Sequence, residues 1–244
     1  MSKKTHYVIG RNSVREVLRG KSDKIKNAFI AKGVVRSDKR IKEIFQLLER
    51  AGVFLTEVSK DKLTKISGTD SHQGVMLEVE KSFSLNFKEL LADIQSKEEV
   101  RILFLDQISD PHNLGAILRA SECFGVDYVL ASGKNVDITP VVTKVSVGAS
   151  EIVPFLIVGN LAEVIEKLKK AGCWFASADG GRGAENLQEF DFPKKTVLVL
   201  GSEGAGVRKL LLSRSDYTIK IPMYGQIDSL NVSQAAAVFL SAWR

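Results

Sequence analysis

Cysteine, histidine and long apolar runs are all scarce in this 244-residue chain. The two cysteines, Cys123 and Cys173, stand in apolar surroundings with no CxxC or Cys/His spacing. That excludes a zinc knuckle or a redox pair and leads us to expect buried free thiols. Three histidines, His6, His72 and His112, are too scattered to suggest a metal centre. No apolar run approaches the roughly 18 to 20 residues that span a bilayer, and the opening MSKKTHYVIG has no apolar stretch of the signal-peptide kind. A cytoplasmic protein is expected. A G-x-S-x-G turn is also missing, and with it any Ser/His/Asp set, which argues against a hydrolase.

The chain has ample apolar content, 44%, for a packed core, and its length suits one large α/β domain or two smaller ones. Its net charge of +6 is unevenly spread. Residues 1–80 carry 17 Lys and Arg against 10 Asp and Glu, so the whole basic excess lies in the first third. A small basic domain suits a polyanion, because each phosphate neutralised releases condensed counterions. An ordinary solvated surface is the alternative.

The first segment alternates helix-like and strand-like runs. Ile41, Ile44, Phe45 and Leu48 form an i, i+3, i+4, i+7 stripe, and KNAFIAKG (26–33), 53–58 and 74–79 read as strands. The polar face around that stripe holds Arg36, Lys39, Arg40 and Lys42, either phosphate-facing or merely solvated. The stretch 81–99 turns polar and reads as a linker, with the boundary near residue 95. From VRILFLD (100–106) onward, strands at 126–131, 151–158, 173–178 and 196–201 alternate with helices such as the one marked by Leu161, Val164, Ile165 and Leu168. This pattern implies a mostly parallel sheet with ligands at the carboxyl ends of its strands. Leu105 and Asp106 run into QISDPHNLG with a single late glycine, which disfavours the glycine-rich first turn of Rossmann methyltransferases.

Three stretches carry the chemistry. In DQISDPHNLGAILRA (106–120), residues 110–113 form a turn and helix start, where Asn113 either caps the helix or serves the site. Arg119 is the one cation in LGAILRASECFG, so it must reach solvent or a polar pocket. VLVLGSEGAG (197–206) ends a strand in glycines that let backbone approach a ligand and leave N–H groups free for a carboxylate. IPMYGQIDSLNVSQAAA (221–237) leads into a final helix, SQAAAVFLSAW, apolar almost all round and therefore buried or at a subunit interface.

In this order the three stretches resemble the motifs of the SpoU/TrmH family of RNA ribose 2'-O-methyltransferases. The segment from HYVIGRNSVREVL (6–18) to SHQGVMLEV (71–79) likewise resembles the substrate-binding domain that precedes many bacterial catalytic domains. The resemblance implies an α/β chain with a small N-terminal RNA-binding domain over 1–80, a linker over 81–99 and a SPOUT domain over 100–244. That last domain would have a parallel sheet and a deep trefoil knot, which family likeness alone would justify. S-adenosylmethionine is the implied cofactor, with no metal, and a homodimer the implied assembly.

Carried onto this sequence, the family pattern gives Asn113, Arg119, Glu203, Ser229 and Asn231 as catalytic residues. Leu200, Gly201, Gly204, Ile221, Met223, Ser229 and Leu230 are the cofactor-binding ones. Arg11, Arg36, Lys39, Arg40 and Arg182 are candidate RNA contacts. An arginine stays protonated with a pKa above ~12, so Arg119 is expected to clamp the phosphate beside the target ribose and either orient the hydroxyl or act as base only once a phosphate is bound. The family pattern places it in a pocket. Ser229 either joins the site or caps the final helix, and Leu230 and Val232 either touch cofactor or pack in the core. A carboxylate aimed at the sulfonium would stabilise the ground state, so Glu203 is expected to hold substrate or an arginine.

The domain arrangement is most like that of the bacterial enzymes that methylate a guanosine ribose in 23S ribosomal RNA. The same chemistry on transfer RNA, or on a ribosomal adenosine as in antibiotic resistance, shares the motifs. A non-catalytic RNA-binding assembly factor is the rival of another class, opposed by the full set of site residues.

Overall fold

A computed structural model describes residues 5–20, 25–35, 37–80, 86–134, 136–181 and 183–243. The chain forms two compact units, one of residues 1–84 with 138–152, the other of 85–137 with 153–244.

In the first unit β1 (Thr5–Ile9), α1 (Arg11–Gly20), β2 (Ile25–Ala31), α2 (Lys39–Ala51), β3 (Leu55–Val58), α3 (Lys60–Ser67) and β4 (Val75–Glu80) follow in order. Their sheet runs β1-β4-β2-β3. Period-two alternation decides its two faces: Val75, Leu77 and Val79 pack with Val14, Val17, Ile41, Ile44 and Leu48 of α1 and α2. Met76 turns the other way and packs with Leu63 of α3. The helix starts are written in the sequence, since Asp38 accepts hydrogen bonds from Arg40 N and Ile41 N, and Ser59 from Lys62 N. Those two backbone bonds, Ile41 the stronger influence, hold the Asp38 carboxyl below its ordinary pKa.

The second unit begins with α4 (Phe87–Ser96), inside the stretch read as a linker. Asn86 and Glu89 make a capping box there, and Leu90 and Ile94 enter the core. Then come β5 (Val100–Asp106), α5 (Pro111–Cys123), β6 (Tyr128–Ser132) and α6 (Pro140–Val145), the last belonging to the first unit. The rest of the unit comprises β7 (Phe155–Ile157), α7 (Leu161–Lys170), β8 (Trp174–Ala178), β9 (Glu185–Asn186), β10 (Lys195–Gly201), α8 (Lys209–Arg214), β11 (Tyr217–Lys220) and α9 (Val232–Ala242). The sheet is β7-β6-β5-β10-β8-β11-β9, and every pairing in it is parallel. Ile102, Phe104, Val197 and Val199 pack under α4, α7 and α8. The intervening residues Leu103, Leu105, Leu198 and Leu200 are buried as well. Sheets covered on both faces read as continuous apolar runs for this reason.

The strand expected over 151–158 is shorter, because Ala149–Glu151 form a 3-10 turn buried within the first unit. One cysteine also departs from expectation: Cys173 is buried, its thiol pushed up to about 11 by burial, whereas Cys123 ends α5 on its exposed side. The final helix is one-sided rather than wholly enclosed. Ala236, Phe239 and Leu240 are buried while Val238 remains 37% exposed. Trp243 stacks on Phe192 at 5.1 Å, which meets Phe190 edge-on at 4.9 Å.

Candidate active site

The carboxyl ends of β8, β10 and β11 open onto one cavity of about 400 Å3, as expected for a parallel sheet. Leu200, Gly201, Gly204, Ile221, Met223, Ser229 and Leu230, the whole expected cofactor set, line it together with Glu203. Buried Leu200 supplies a wall, while residues 223–231 are exposed and leave the cavity open to solvent.

The turn after β10 folds back sharply. Gly206 N–H donates to Ser202 O at 2.9 Å, and a Cβ on Gly201 would lie 2.0 Å from the Gly206 carbonyl carbon. Only glycine allows that approach. A buried ionic staple fixes the far end of the turn. Asp106, completely buried at the end of β5, accepts Arg208 N–H at 2.9 Å and Arg208 Nε–H at 2.8 Å. Arg208 Nη2 bonds the same carboxylate and donates to Ser132 Oγ at 2.7 Å at the end of β6. Asp106 thus ties the second motif to two neighbouring strands. Sequence reasoning missed Asp106 and Arg208 as a pair, since residues 102 apart give no local signal. A charged residue ending the apolar run VRILFLD was the available hint.

The three motifs meet through side chains. Asn231 Nδ2 donates to Asn113 Oδ1 at 3.0 Å and also to Glu203 Oε1, which accepts Val232 N–H at 3.3 Å as well. Glu203 therefore sits at the N-terminus of α9, where the helix end favours a carboxylate. Its partner is Asn231 rather than an arginine. Capping of α5 falls to the Asp rather than the Asn of its turn, and capping of α9 to a residue not weighed for it. Asp110 caps α5 by accepting His112 N–H at 2.9 Å, and Asn231, not Ser229, caps α9 by accepting Ser233 N–H at 2.9 Å. Asn113 is thereby free to bridge the first motif to the third, and Ser229 to face the cavity.

Arg119 differs from expectation. It lies on the exposed side of α5, outside the cavity lining, while Leu114, Ile117 and Leu118 are buried on the other side. Of the two places open to a lone cation on an apolar helix, it takes solvent. Among the candidate RNA contacts, Lys39 and Arg40 are exposed, and Arg11 pairs with Asp38 at 2.8 Å. Arg36 and Arg182 lie outside the described residues. Among the described residues no group of three or more His, Cys, Asp and Glu is placed to hold a metal ion, and no helix is long and apolar enough to cross a membrane.

A parallel α/β sheet with a glycine turn at the end of a central strand and an open cleft beside it defines a ligand-binding domain of the α/β class. Residues 100–241 match the SpoU rRNA Methylase family, and residues 7–85 match the module described as RNA 2'-O ribose methyltransferase substrate binding. The chain belongs to the SpoU rRNA methylase family. It is 35% identical over 241 residues to the 23S rRNA (guanosine-2'-O-)-methyltransferase RlmB of Acinetobacter baylyi, covering 97% of this chain and 96% of that one. It is 34% identical to the putative TrmH family tRNA/rRNA methyltransferase YacO of Bacillus subtilis, over 98% of this chain and 95% of that one. The fold matches the crystal structure of the SpoU methyltransferase AviRb from Streptomyces viridochromogenes in complex with AdoMet, with a TM-score of 0.79 and 22% identity. That match covers 98% of this chain and 88% of the other.

Proposed function

We propose that this protein transfers a methyl group from S-adenosylmethionine to the ribose 2'-hydroxyl of a guanosine in 23S ribosomal RNA. The observation that carries this reading is the junction of three motifs through Glu203, which lines the cavity, to Asn231 and on to Asn113, in a chain about a third identical over nearly its whole length to enzymes named for that reaction. The residues present fit the cofactor. Gly201 leaves no room for a side chain where backbone must approach, and Leu200, Ile221, Met223 and Leu230 give an apolar wall for an adenine. When bound, the cofactor supplies an electrophilic methyl on a sulfonium.

The chain's own groups do the rest. The 201–206 turn would hold the cofactor's carboxylate through backbone N–H groups other than those of Ala205 and Gly206, which donate within the turn. Glu203 and Asn231 hold the second and third motifs in register, and Asn113 places the start of α5 against them. Arg119, exposed and without an ion-pair partner among the described residues, clamps the phosphate beside the target ribose and orients its hydroxyl. Ser229 faces the same cavity and braces the substrate.

The division of labour follows the two units. Residues 1–80 with α6 gather RNA, and the unit that begins with α4 holds the cofactor on a knotted C-terminal path. The protein works in the cytoplasm as a homodimer, a state supported by the exposed apolar side chains of Ile227, Leu230 and Val238 on and before α9; sedimentation of the full chain measures it.

The test is methyl transfer from radiolabelled S-adenosylmethionine to 23S rRNA and to total transfer RNA, each from cells lacking the protein, followed by nuclease mapping of the labelled ribose. Label on a ribosomal guanosine is expected. Transfer RNA is the second reading, favoured by the name of the Bacillus subtilis relative, and label there alone would replace the first. Cofactor binding without label on either would point to an assembling ribosomal particle as the substrate, and no cofactor binding at all would favour a non-catalytic assembly factor.

A further inference from the structure

A second cavity, of about 620 Å3, lies wholly within the first unit. Arg11, Lys32, Arg40, Lys60 and Lys144 line it, and Asp70 is the one carboxylate in its wall. Arg11 is tied to Asp38, but Lys32, Arg40, Lys60 and Lys144 form no ion pair with any described carboxylate. Cations collected around one hollow without neutralising partners repel one another, and a bound polyanion reverses that penalty.

The floor of the cavity is preformed. Its turn 71–74 carries Gln73 at φ 54 and Gly74 at φ 79, and buried His72 pins it. Gly74 N–H donates to His72 Nδ1 at 3.0 Å, so Nε2 carries the proton and meets Thr64 Oγ1 at 3.1 Å. Arg11 Nε–H donates to Gln73 O at 3.3 Å, which aims that guanidinium along the floor. Beside that floor Ala31, Val34 and Val35 offer an apolar wall.

Lys144 comes from elsewhere in the sequence. It lies on α6, inside the 100–241 stretch matched by the methylase family, yet α6 packs in the first unit. Ser13 Oγ–H donates to Thr143 O at 3.2 Å, and Val142 and Thr143 are fully buried. The stem of Lys144 lies beside Gly10.

We propose that this cavity seats one phosphodiester of the substrate RNA with its flanking nucleoside, and that Lys144, delivered from the methylase stretch, completes it. The proposal rests on the reading of the chain as an RNA methyltransferase and adds the subsite and its composite origin. The volume lies in the roughly 300–1,000 Å3 range of sites that enclose a small group. A convex duplex backbone does not reach a concave floor, whereas an unstacked nucleotide in a loop does. The apolar wall receives the nucleoside and the cations receive the phosphates.

The test uses the full chain and its substrate RNA, with affinity measured across a salt series. Lys144→Ala and Lys32→Ala should each weaken RNA binding by about 5- to 10-fold and lower the slope of log affinity against log salt by about 0.7 to 0.9. S-adenosylmethionine affinity and the melting temperature should stay unchanged. Lys144→Arg should keep the wild-type slope, which separates charge from folding. Lys170→Ala, which removes an exposed ion pair with Glu166 in the second unit, should change nothing. Normal methylation with unaltered affinity and slope in Lys144→Ala and Lys32→Ala would overturn the subsite and leave the enzymatic reading standing. A wild-type protein that neither binds nor methylates RNA would overturn both.

Discussion

Two cavities of this molecule, one in each unit, are built on opposite principles. That of the second unit is made mainly of backbone and apolar side chains, with Asp179, Glu203, Lys220 and Asp228 also in its wall, placed by strand ends and a glycine turn. That of the first unit is made of long cationic side chains around a pinned turn. Backbone geometry of the first kind leaves ordered motifs in a sequence, because each glycine and strand end must fall at a fixed place. A cationic hollow leaves only a local charge excess, because lysines from distant segments serve equally well. The comparison also separates what mutation should do to each cavity: steric change should ruin the former, and charge removal should erode the latter.

The largest effect expected is that of Gly201→Ala. Its methyl group would lie 2.0 Å from the Gly206 carbonyl carbon, where neither strand nor turn has slack. S-adenosylmethionine affinity, read by calorimetry, should fall by about 100-fold or more, about 3 kcal/mol. RNA affinity and its salt slope should be retained. If cofactor binding survives the substitution, the turn is not the cofactor's seat and the contrast between the cavities fails.

Next is Asp106→Asn. Breaking a buried ion pair costs about 3–5 kcal/mol, but the Arg208 side chain is 38% exposed and recovers part of its hydration, so about 2 kcal/mol is expected. Both tryptophans of the chain, Trp174 and Trp243, lie in the second unit, so their fluorescence during urea denaturation reads that unit. The midpoint should move to lower urea, and cofactor affinity should fall with it as the turn loses its anchor. An unmoved midpoint would mean that Arg208 holds the turn without its carboxylate.

The same contrast explains what could be read in advance. The parallel sheet, the α2 stripe and part of the cavity lining, namely Leu200, Gly201, Glu203, Gly204, Ile221, Met223, Ser229 and Leu230, were legible, because apolar runs, helical spacing and glycine-ended strands are local patterns. Helix α4 was hidden in a polar stretch whose apolar residues, Leu90 and Ile94, are few, though Asn86 and Glu89 spell its capping box. Caps at Asp110 and Asn231 were misassigned among neighbouring candidates, since each polar side chain within a residue or two could serve. Non-local partners left no trace. The Asp106–Arg208 staple and the arrival of Lys144 in the first unit both depend on how distant segments fold together, and no window of sequence contains them.

The smallest effect concerns pH and bears on the cationic cavity alone. Burial, followed by the Lys60 ammonium, holds the His72 imidazole below its ordinary pKa of 6.5, with Asp70 opposing. Since the unfolded chain then binds the proton more readily, the contribution of His72 is fully present above about pH 6.5 and is lost as the pH falls toward the depressed folded value. Protonation would also remove the acceptor for Gly74 N–H and loosen the cavity floor. The melting temperature should therefore drop between about pH 7.5 and 5.5, a range above the titration of ordinary carboxylates near ~4. His72→Asn should melt lower at the upper pH yet lose less on acidification, and its RNA affinity should vary less across the same range. An equal drop in both proteins would place the pH sensitivity outside the floor, and the cavity would then owe its shape to the lysines' surroundings rather than to a neutral imidazole beneath them.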